Sequence, residues 1–312
     1  MKALLTGASS FSGYWFARAL AERNVDVVAP LRGHPDSYTG VRAMRVKALH
    51  QFAKIVFQVE FGSSEFFALF DRSQCDLLCH HWARVADYRS PDFDVSLALA
   101  ENTRALKSLS KRLAARAGSA FVLTGSVFEP HEGSGTKPLR AFSPYGLSKA
   151  LTASVVRYWC EVSGLPFAKF VIANPFGPFE EPRFCAYLVK CWAAHQTAEV
   201  RAPRYVRDNI HVSLLAKAYA DFAIETVSSG RSGYCAPTFY VESQGAFAAR
   251  FAREIGSRVT VPCLVKLCEQ TDFAEPMVRI NTDPVDIVRL GWNEAAAWDE
   301  IVRYYGEQLP LR

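Results

Sequence analysis

The sequence predicts an α/β protein built on a doubly wound parallel sheet with a smaller C-terminal lobe, and three observations carry that prediction. Apolar strand-like runs alternate with amphipathic helix-like stretches through roughly the first 170 residues. A Gly/Ser-rich turn follows the first run directly. After Asn174 the alternation gives way to a Pro/Gly cluster, NPFGPFEEPRF, and to irregular pieces. With 312 residues, half of them apolar, the chain can bury a large core.

The strands are expected at Ala3 to Leu5, Val25 to Ala29, Ile55 to Val59, Leu77 to Cys79, Phe121 to Leu123 and Phe167 to Ile172. Helices are expected at Gly13 to Glu22, Ser64 to Asp71, Asp94 to Ala117 and Pro144 to Ser163. This order places a dinucleotide-binding domain of the Rossmann type at 1–173, with some later segments returning to it. A substrate-binding lobe then occupies most of 174–312. Ligands of such sheets bind outside the carboxyl ends of the strands, where the strand order reverses.

Composition narrows the function classes. The net charge of +5 is mild, and no block of five or six basic residues marks a nucleic-acid arm or a membrane anchor. No uninterrupted run of about 18 apolar residues suggests a spanning helix. The start, MKALLTGASS, reads as a first strand entering a turn rather than as a signal peptide. Eight cysteines are scattered without a CxxC pair, which predicts reduced thiols, no zinc site and a cytoplasmic protein.

The turn Thr6-Gly7-Ala8-Ser9-Ser10-Phe11-Ser12-Gly13 lies between a strand and a helix, the context in which a Gly-rich turn binds a dinucleotide. Gly7 allows the sharp turn and Gly13 the close helix packing, and the pyrophosphate would lie at the helix N-terminus near Ser9, Ser10 and Phe11. Ser10 replaces the middle glycine, so it either displaces the pyrophosphate or hydrogen-bonds it. The second strand runs into Pro30-Leu31-Arg32 and lacks the acidic residue that would accept the ribose 2′-hydroxyl. Arg32 can pair with a 2′-phosphate, which favours NADP over the alternative, NAD. Glu60, past the third strand, stands where a carboxylate could reach the adenine amine.

Tyr145 and Lys149 open a helix, and their spacing of four puts both on one face. A neighbouring ammonium favours the phenolate and makes Tyr145 a usable general acid/base. The pair follows a strand ending Val122-Leu123-Thr124-Gly125-Ser126.

Taken in order, TGASSFSG, LTGSVFEP, YGLSK, IANPFGP and YVRDNIHV resemble the signature blocks of the extended short-chain dehydrogenase/reductases, the nucleotide-sugar epimerase, dehydratase and reductase family. The resemblance runs from Met1 to about Tyr305. It implies that Tyr145 is the acid/base, that Lys149 holds the nicotinamide ribose, and that Thr124 hydrogen-bonds the reacting oxygen. In that register Ser126 faces the sugar; a shifted register makes Ser126 the catalytic hydroxyl. Asn102 resembles the family's helix-kinking Asn that supports the Lys. Asn174 and Arg207 would bind the nucleotide diphosphate, with Arg279 as a second cation. The resemblance also implies a homodimer formed through the helices at Asp94 to Ala117 and Pro144 to Ser163.

The departures refine this reading. Sugar dehydratases of the family carry acidic residues where this chain has Gly125 and Ser126, so dehydration lacks its base. His80-His81-Trp82 replaces small residues; adjacent strand positions face opposite ways, which argues against a metal and leaves His81 or Trp82 to shape the sugar site. The function expected is an NADP-dependent reductase of a nucleotide-linked keto-sugar. The alternatives are a 4-epimerase with tightly held cofactor, a carbonyl reductase of small molecules, and a non-catalytic cofactor-binding protein.

Overall fold

The computed structural model describes residues 1–270 and 275–311 and divides into two compact units. The first comprises Met1–Glu132, Leu139–Ile172 and Ala216–Ala236; the second comprises Gly133–Pro138, Ala173–Leu215 and the chain from Pro237 onward.

In the first unit, strands β1 (Lys2–Thr6), β2 (Asp26–Leu31), β3 (Ala53–Phe57), β4 (Leu77–His80) and β5 (Ala120–Ser126) join Phe167–Ile172 and Gly233–Cys235 in one sheet. Every pairing is parallel, and the order runs β3, β2, β1, β4, β5, Phe167–Ile172, Gly233–Cys235. The order reverses between β1 and β4, which is the crevice position for a ligand. The doubly wound parallel sheet is the one the alternation predicts. Gly233–Cys235 escapes a hydrophobicity search because it is short and largely exposed.

Helices cover both faces of this sheet. On one face Phe121 and Leu123 pack with Leu106, Leu109, Ala153 and Val156, residues of α5 (Leu106–Ala114) and α6 (Pro144–Val162). On the other, Phe16 of α1 (Phe11–Glu22) stacks on Tyr219 at 3.9 Å, with Phe170 edge-on to both. These buried ring pairs add specific geometry to plain area burial.

Three expectations are corrected. The stretch Asp94 to Ala117 is not one helix: α4 (Val95–Asn102) stops and α5 restarts after Ala105, whose φ is +56°. The physical reason is that the Asn102 carbonyl turns out of the helical ladder to meet His80 Nε2 at 3.0 Å. A helix absent from the periodicity reading, α2 (Gly40–Leu49), lies between β2 and β3, because its buried face is narrow and includes Arg45. The third strand ends at Phe57, two residues early, since Gln58 adopts φ +58°. The third helix of the series, α3 (Ser64–Ser73), is capped by the Ser63 hydroxyl.

The second unit holds a five-stranded sheet in which Val206–His211 pairs with Tyr240–Ser243, Val278–Ile280 and Asn174–Phe176, and Ser134–Gly135 extends it. Its core is rich in aromatic rings, among them Phe176, Trp192, Phe247, Phe251 and Trp298.

The β1–α1 turn sets the tightest packing constraint. A Cβ on Gly13 would stand 2.2 Å from the Gly7 carbonyl oxygen, a backbone atom that cannot step aside. Gly13→Ala is therefore expected to cost about 3 kcal/mol in denaturant unfolding. Gly164→Ala, at a position with open space around it, should cost far less despite its φ of +65°.

Candidate active site

The glycine turn is held from two sides. The Thr6 hydroxyl accepts from the backbone N–H groups of His81 and Trp82 at 3.1 and 3.0 Å, pinning the chain after β4 against the turn. Gly7 is required there, at φ +73°, because a Cβ would meet Trp82 N at 2.8 Å. From α2, Arg42 donates to the Ser9 hydroxyl through Nε and Nη2 at 3.1 and 2.8 Å, and buried Arg45 donates to the Ser9 carbonyl at 3.0 Å.

The cofactor-binding residues expected from sequence, Gly7, Ser9, Ser10, Phe11 and Gly13, are thus gathered at the start of α1, whose first N–H groups lack intrahelical partners. The positive end of the helix and the nearby Arg42 and Arg45 suit a pyrophosphate, so the turn fits the phosphates of a dinucleotide. Ser10 is already engaged: its hydroxyl caps α1 at Gly13 N and lies 3.0 Å from His81 Nε2. Ser12 Oγ lies 3.1 Å from the same nitrogen. Neither His81 nor Trp82 is placed as the sequence suggested. His81 reaches into the glycine turn, and the Trp82 ring lies 6.0 Å from the exposed Arg32 guanidinium at the end of β2. Both therefore belong to the turn and to the β2 end of the crevice. Glu60 pairs with Arg104 at 3.5 Å.

Strand β4 and helix α6 are linked through buried side chains. His80 Nδ1 lies 3.1 Å from Thr6 Oγ1, and Asn102 Nδ2 donates to Thr152 Oγ1 on α6 at 3.2 Å. With Nε2 protonated, His80 donates to Asn102 O and accepts from the Thr6 hydroxyl, which is the tautomer this network requires. Burial, then the Lys149 charge, pushes His80 down to about 3, and His81 likewise. Both rings are neutral at physiological pH.

One turn before Thr152, Lys149 Nζ donates to the Thr124 carbonyl at 2.6 Å. Burial brings Lys149 down to about 8, with Glu129 opposing that change and Lys169 adding to it. Tyr145, in the first turn of α6 and partly buried, meets Tyr88 and Phe93 edge-on at 5.6 and 5.9 Å. The two candidate hydroxyls differ in setting. Thr124 Oγ1 is buried without a hydrogen-bond partner, facing the Tyr219 phenol without meeting hydrogen-bond geometry with it. Ser126 Oγ accepts from Phe128 N at 3.2 Å.

Three charged residues near this strand end went unnoticed in the sequence. Lys169 Nζ sits 2.5 Å from Glu129 Oε2 and 2.5 Å from Glu132 Oε1, and Glu129 Oε1 accepts from Ser126 N at 2.7 Å. A lysine inside the apolar strand FAKFVI was the available signal, since a lysine is almost never buried unless paired. Glu129 also bears on the dehydration argument: a carboxylate does lie beside Ser126, but it is buried and held by two partners.

In the second unit Arg207 and Arg279 lie opposite each other in register on neighbouring strands, both buried. The Arg207 guanidinium donates to Glu275 Oε2 at 2.7 Å and to the Val206 and Pro276 carbonyls. An anion reaching Arg207 therefore competes with Glu275. Asn174, exposed, donates to Asn209 Oδ1 at 2.6 Å. Among the described residues no cluster of three or more His, Cys, Asp or Glu could hold a metal ion, and no helix is long and apolar enough to cross a membrane.

The family model described as the NAD dependent epimerase/dehydratase family matches residues 3–234, most of the chain. The chain belongs to this family. It is an NAD(P)-dependent oxidoreductase of the extended short-chain dehydrogenase/reductase type. Similar solved structures include a UDP-glucuronic acid 4-epimerase from Bacillus cereus in complex with UDP-glucuronic acid and NAD, at 15% identity and a TM-score of 0.69 over 98% of this chain and 99% of that one. A UDP-glucose 4-epimerase from Thermotoga maritima with UDP-glucose shows 16% identity and a TM-score of 0.70, covering 98% and 99%. A dTDP-glucose 4,6-dehydratase from Streptomyces venezuelae, with NAD bound, shows 19% identity and a TM-score of 0.70, covering 99% and 98%. At these identities the likeness establishes the fold. No curated protein is matched by the sequence.

The neutral histidines of this family member have a consequence for stability. Their folded pKa values lie below the unfolded value near 6.5, so the unfolded chain binds more protons and their contribution is lost as pH falls. The histidines' share of the thermal stability should be constant above about pH 7 and be lost progressively below about 6.5. Each histidine contributes at most about 1.4 kcal/mol per pH unit to that slope. His80→Gln should flatten the slope in melting curves recorded from pH 7.5 to 5.

Proposed function

We propose that the protein is an NADP-dependent reductase of a nucleotide-linked keto-sugar, with the first unit binding the dinucleotide and the second binding the substrate. The observation that carries the catalytic part is the convergence of α6 on β5, where Lys149 reaches Thr124 O and Tyr145 lies one helical turn before Lys149. When bound, the nicotinamide supplies hydride. Tyr145 gives the carbonyl oxygen its proton, and the Lys149 ammonium holds the ribose and favours the Tyr145 phenolate left behind. Thr124 orients the reacting oxygen, in keeping with its unsatisfied hydroxyl; Ser126 is the other candidate.

The choice of NADP rests on the β2 end, where Arg32 is exposed, Leu31 replaces a carboxylate, and Arg42 lies one hydrogen bond from the turn. Asn174, Arg207 and Arg279 bind the nucleotide diphosphate, as their paired strands support. The 4-epimerase reading draws on the same residues and on the NAD and UDP-sugars in the similar structures, and it differs in retaining the cofactor. A second copy of the chain is the partner proposed for α6, which exposes Leu147, Leu151, Tyr158 and Val162 on its surface.

The deciding experiment is incubation with UDP- and dTDP-linked sugars and their 4-keto forms, with NADPH or NADH. Oxidation of NADPH by a keto-sugar is expected, reduced about 1,000-fold or more by Tyr145→Phe. Sugar isomers formed without net cofactor use would replace this reading with the epimerase. Thr124→Val should lower kcat about 100-fold and exceed the effect of Ser126→Ala; the reverse order transfers the role to Ser126. Arg32→Ala is expected to raise KM for NADPH about tenfold or more while sparing NADH, in steady-state assays. Sedimentation should give twice the chain mass, falling to the single mass in Leu151→Glu/Tyr158→Glu.

A further inference from the structure

Behind the end of β5 lies a charged cluster that the proposed chemistry does not use. Lys169 is 5% exposed and Glu129 only 1%. The Lys169 ammonium touches Glu129 and Glu132 at 2.5 Å each, and the Tyr234 hydroxyl donates to the far oxygen of Glu132. The cluster is pressed against the strand backbone. A Cβ on Gly125 would come 2.6 Å from Lys169 Cε and 3.0 Å from Glu129 Oε1, so a side chain there would have to push the ion pair aside. The other oxygen interactions are specific too: Glu129 Oε1 accepts from Ser126 N, while Lys149 Nζ donates to Thr124 O. The three residues Thr124, Gly125 and Ser126 are thus gripped at one carbonyl by an ammonium and at one N–H by a carboxylate.

A buried ion pair is an inefficient source of stability, because desolvation offsets much of its attraction. Its position beside both candidate hydroxyls and the catalytic lysine gives it another use. We propose that Glu129 and Lys169 are positioning residues for the catalytic centre: Glu129 fixes the Thr124–Ser126 backbone and supplies Lys149 with a buried counter-charge, which Lys169 moderates. This rests on Lys149 acting as the partner of Tyr145.

The groups facing Lys149 come from several elements. Glu129 follows β5, Lys169 comes from Phe167–Ile172, and His80 and His81 come from the end of β4, with Tyr145 a turn earlier on α6. Both histidines are neutral at physiological pH and add no charge. The charges that act on Lys149 from other elements are therefore those of the ion pair, and they act in opposite directions. Opposite signs are the signature that separates charge control from packing.

The test is the pH titration of the Lys149 13Cε resonance in protein carrying [ε-13C]lysine, assigned by its loss in Lys149→Arg. Glu129→Gln should lower the Lys149 midpoint by about one pH unit, a tenfold change in its ionisation equilibrium. Lys169→Met should raise it by about as much. Glu132→Gln, at a more open position, leaves Lys169 with less compensation and should lower the midpoint by a smaller amount. That milder variant decides the matter if a buried substitution prevents folding. Midpoints that stay unchanged in folded variants, or that move the same way in Glu129→Gln and Lys169→Met, would overturn the proposal. Because the titration needs no turnover, an inert protein whose Lys149 still titrates with these signs would reject the reductase and leave the charge pair standing.

Discussion

A chain of hydrogen bonds running from the glycine turn to helix α6 supports the rest of this structure. Thr6 holds the backbone after β4, His80 bridges Thr6 to the Asn102 carbonyl, and the Asn102 side chain reaches Thr152 on α6. Each link joins a different element, so the end of β1, the end of β4, the break between α4 and α5, and α6 cannot shift independently. A network of this kind rigidifies only when every member is satisfied. Neutral His80 makes that possible, since it donates to the Asn102 carbonyl on one side and accepts from the Thr6 hydroxyl on the other. Its depressed pKa is the electrostatic face of the same arrangement.

Charge is distributed to match. Cations stand around the turn, with Arg42 and Arg45 on Ser9 and Arg32 at the end of β2, an arrangement that suits the phosphates of a dinucleotide. Helix α6 brings one more cation, Lys149, into a buried position, and a buried ammonium needs compensation. Strand polarity and hydrogen bonding supply part of it through the Thr124 carbonyl. The Glu129 carboxylate opposes the effect of burial further, and Lys169 keeps Glu129 from being an unpaired buried charge. In the second unit the same economy appears in the pairing of Arg207 with Glu275.

The parts of the fold legible in the sequence were those with a strong local signal. Six of the seven parallel strands carry apolar runs, and the helices expected from Gly13 and Pro144 are present as α1 and α6, capped by the Ser10 and Ser143 hydroxyls. Elements whose stability comes from elsewhere were missed. Gly233–Cys235 is held by pairing with Phe167–Ile172 rather than by its own apolar face, and α2 buries an arginine where a search for apolar residues expects a leucine. The break at Asn102 depends on a histidine 22 residues away, which no window of sequence contains.

Sequence by itself determined the fold class, the glycine turn, and the spacing that puts Tyr145 and Lys149 on one face of a helix, because each follows from short-range geometry. It also determined the residue types available to the site, including the lack of a carboxylate at Gly125 and Ser126. Tertiary structure alone decided where side chains of ambiguous use point. His81 turns to Ser10 and Ser12, Glu60 to Arg104, Arg207 to Glu275, and Glu129 to Lys169. The reason is physical: a charged or polar group takes its meaning from the partner that compensates its desolvation, and those partners lie tens of residues away along the chain.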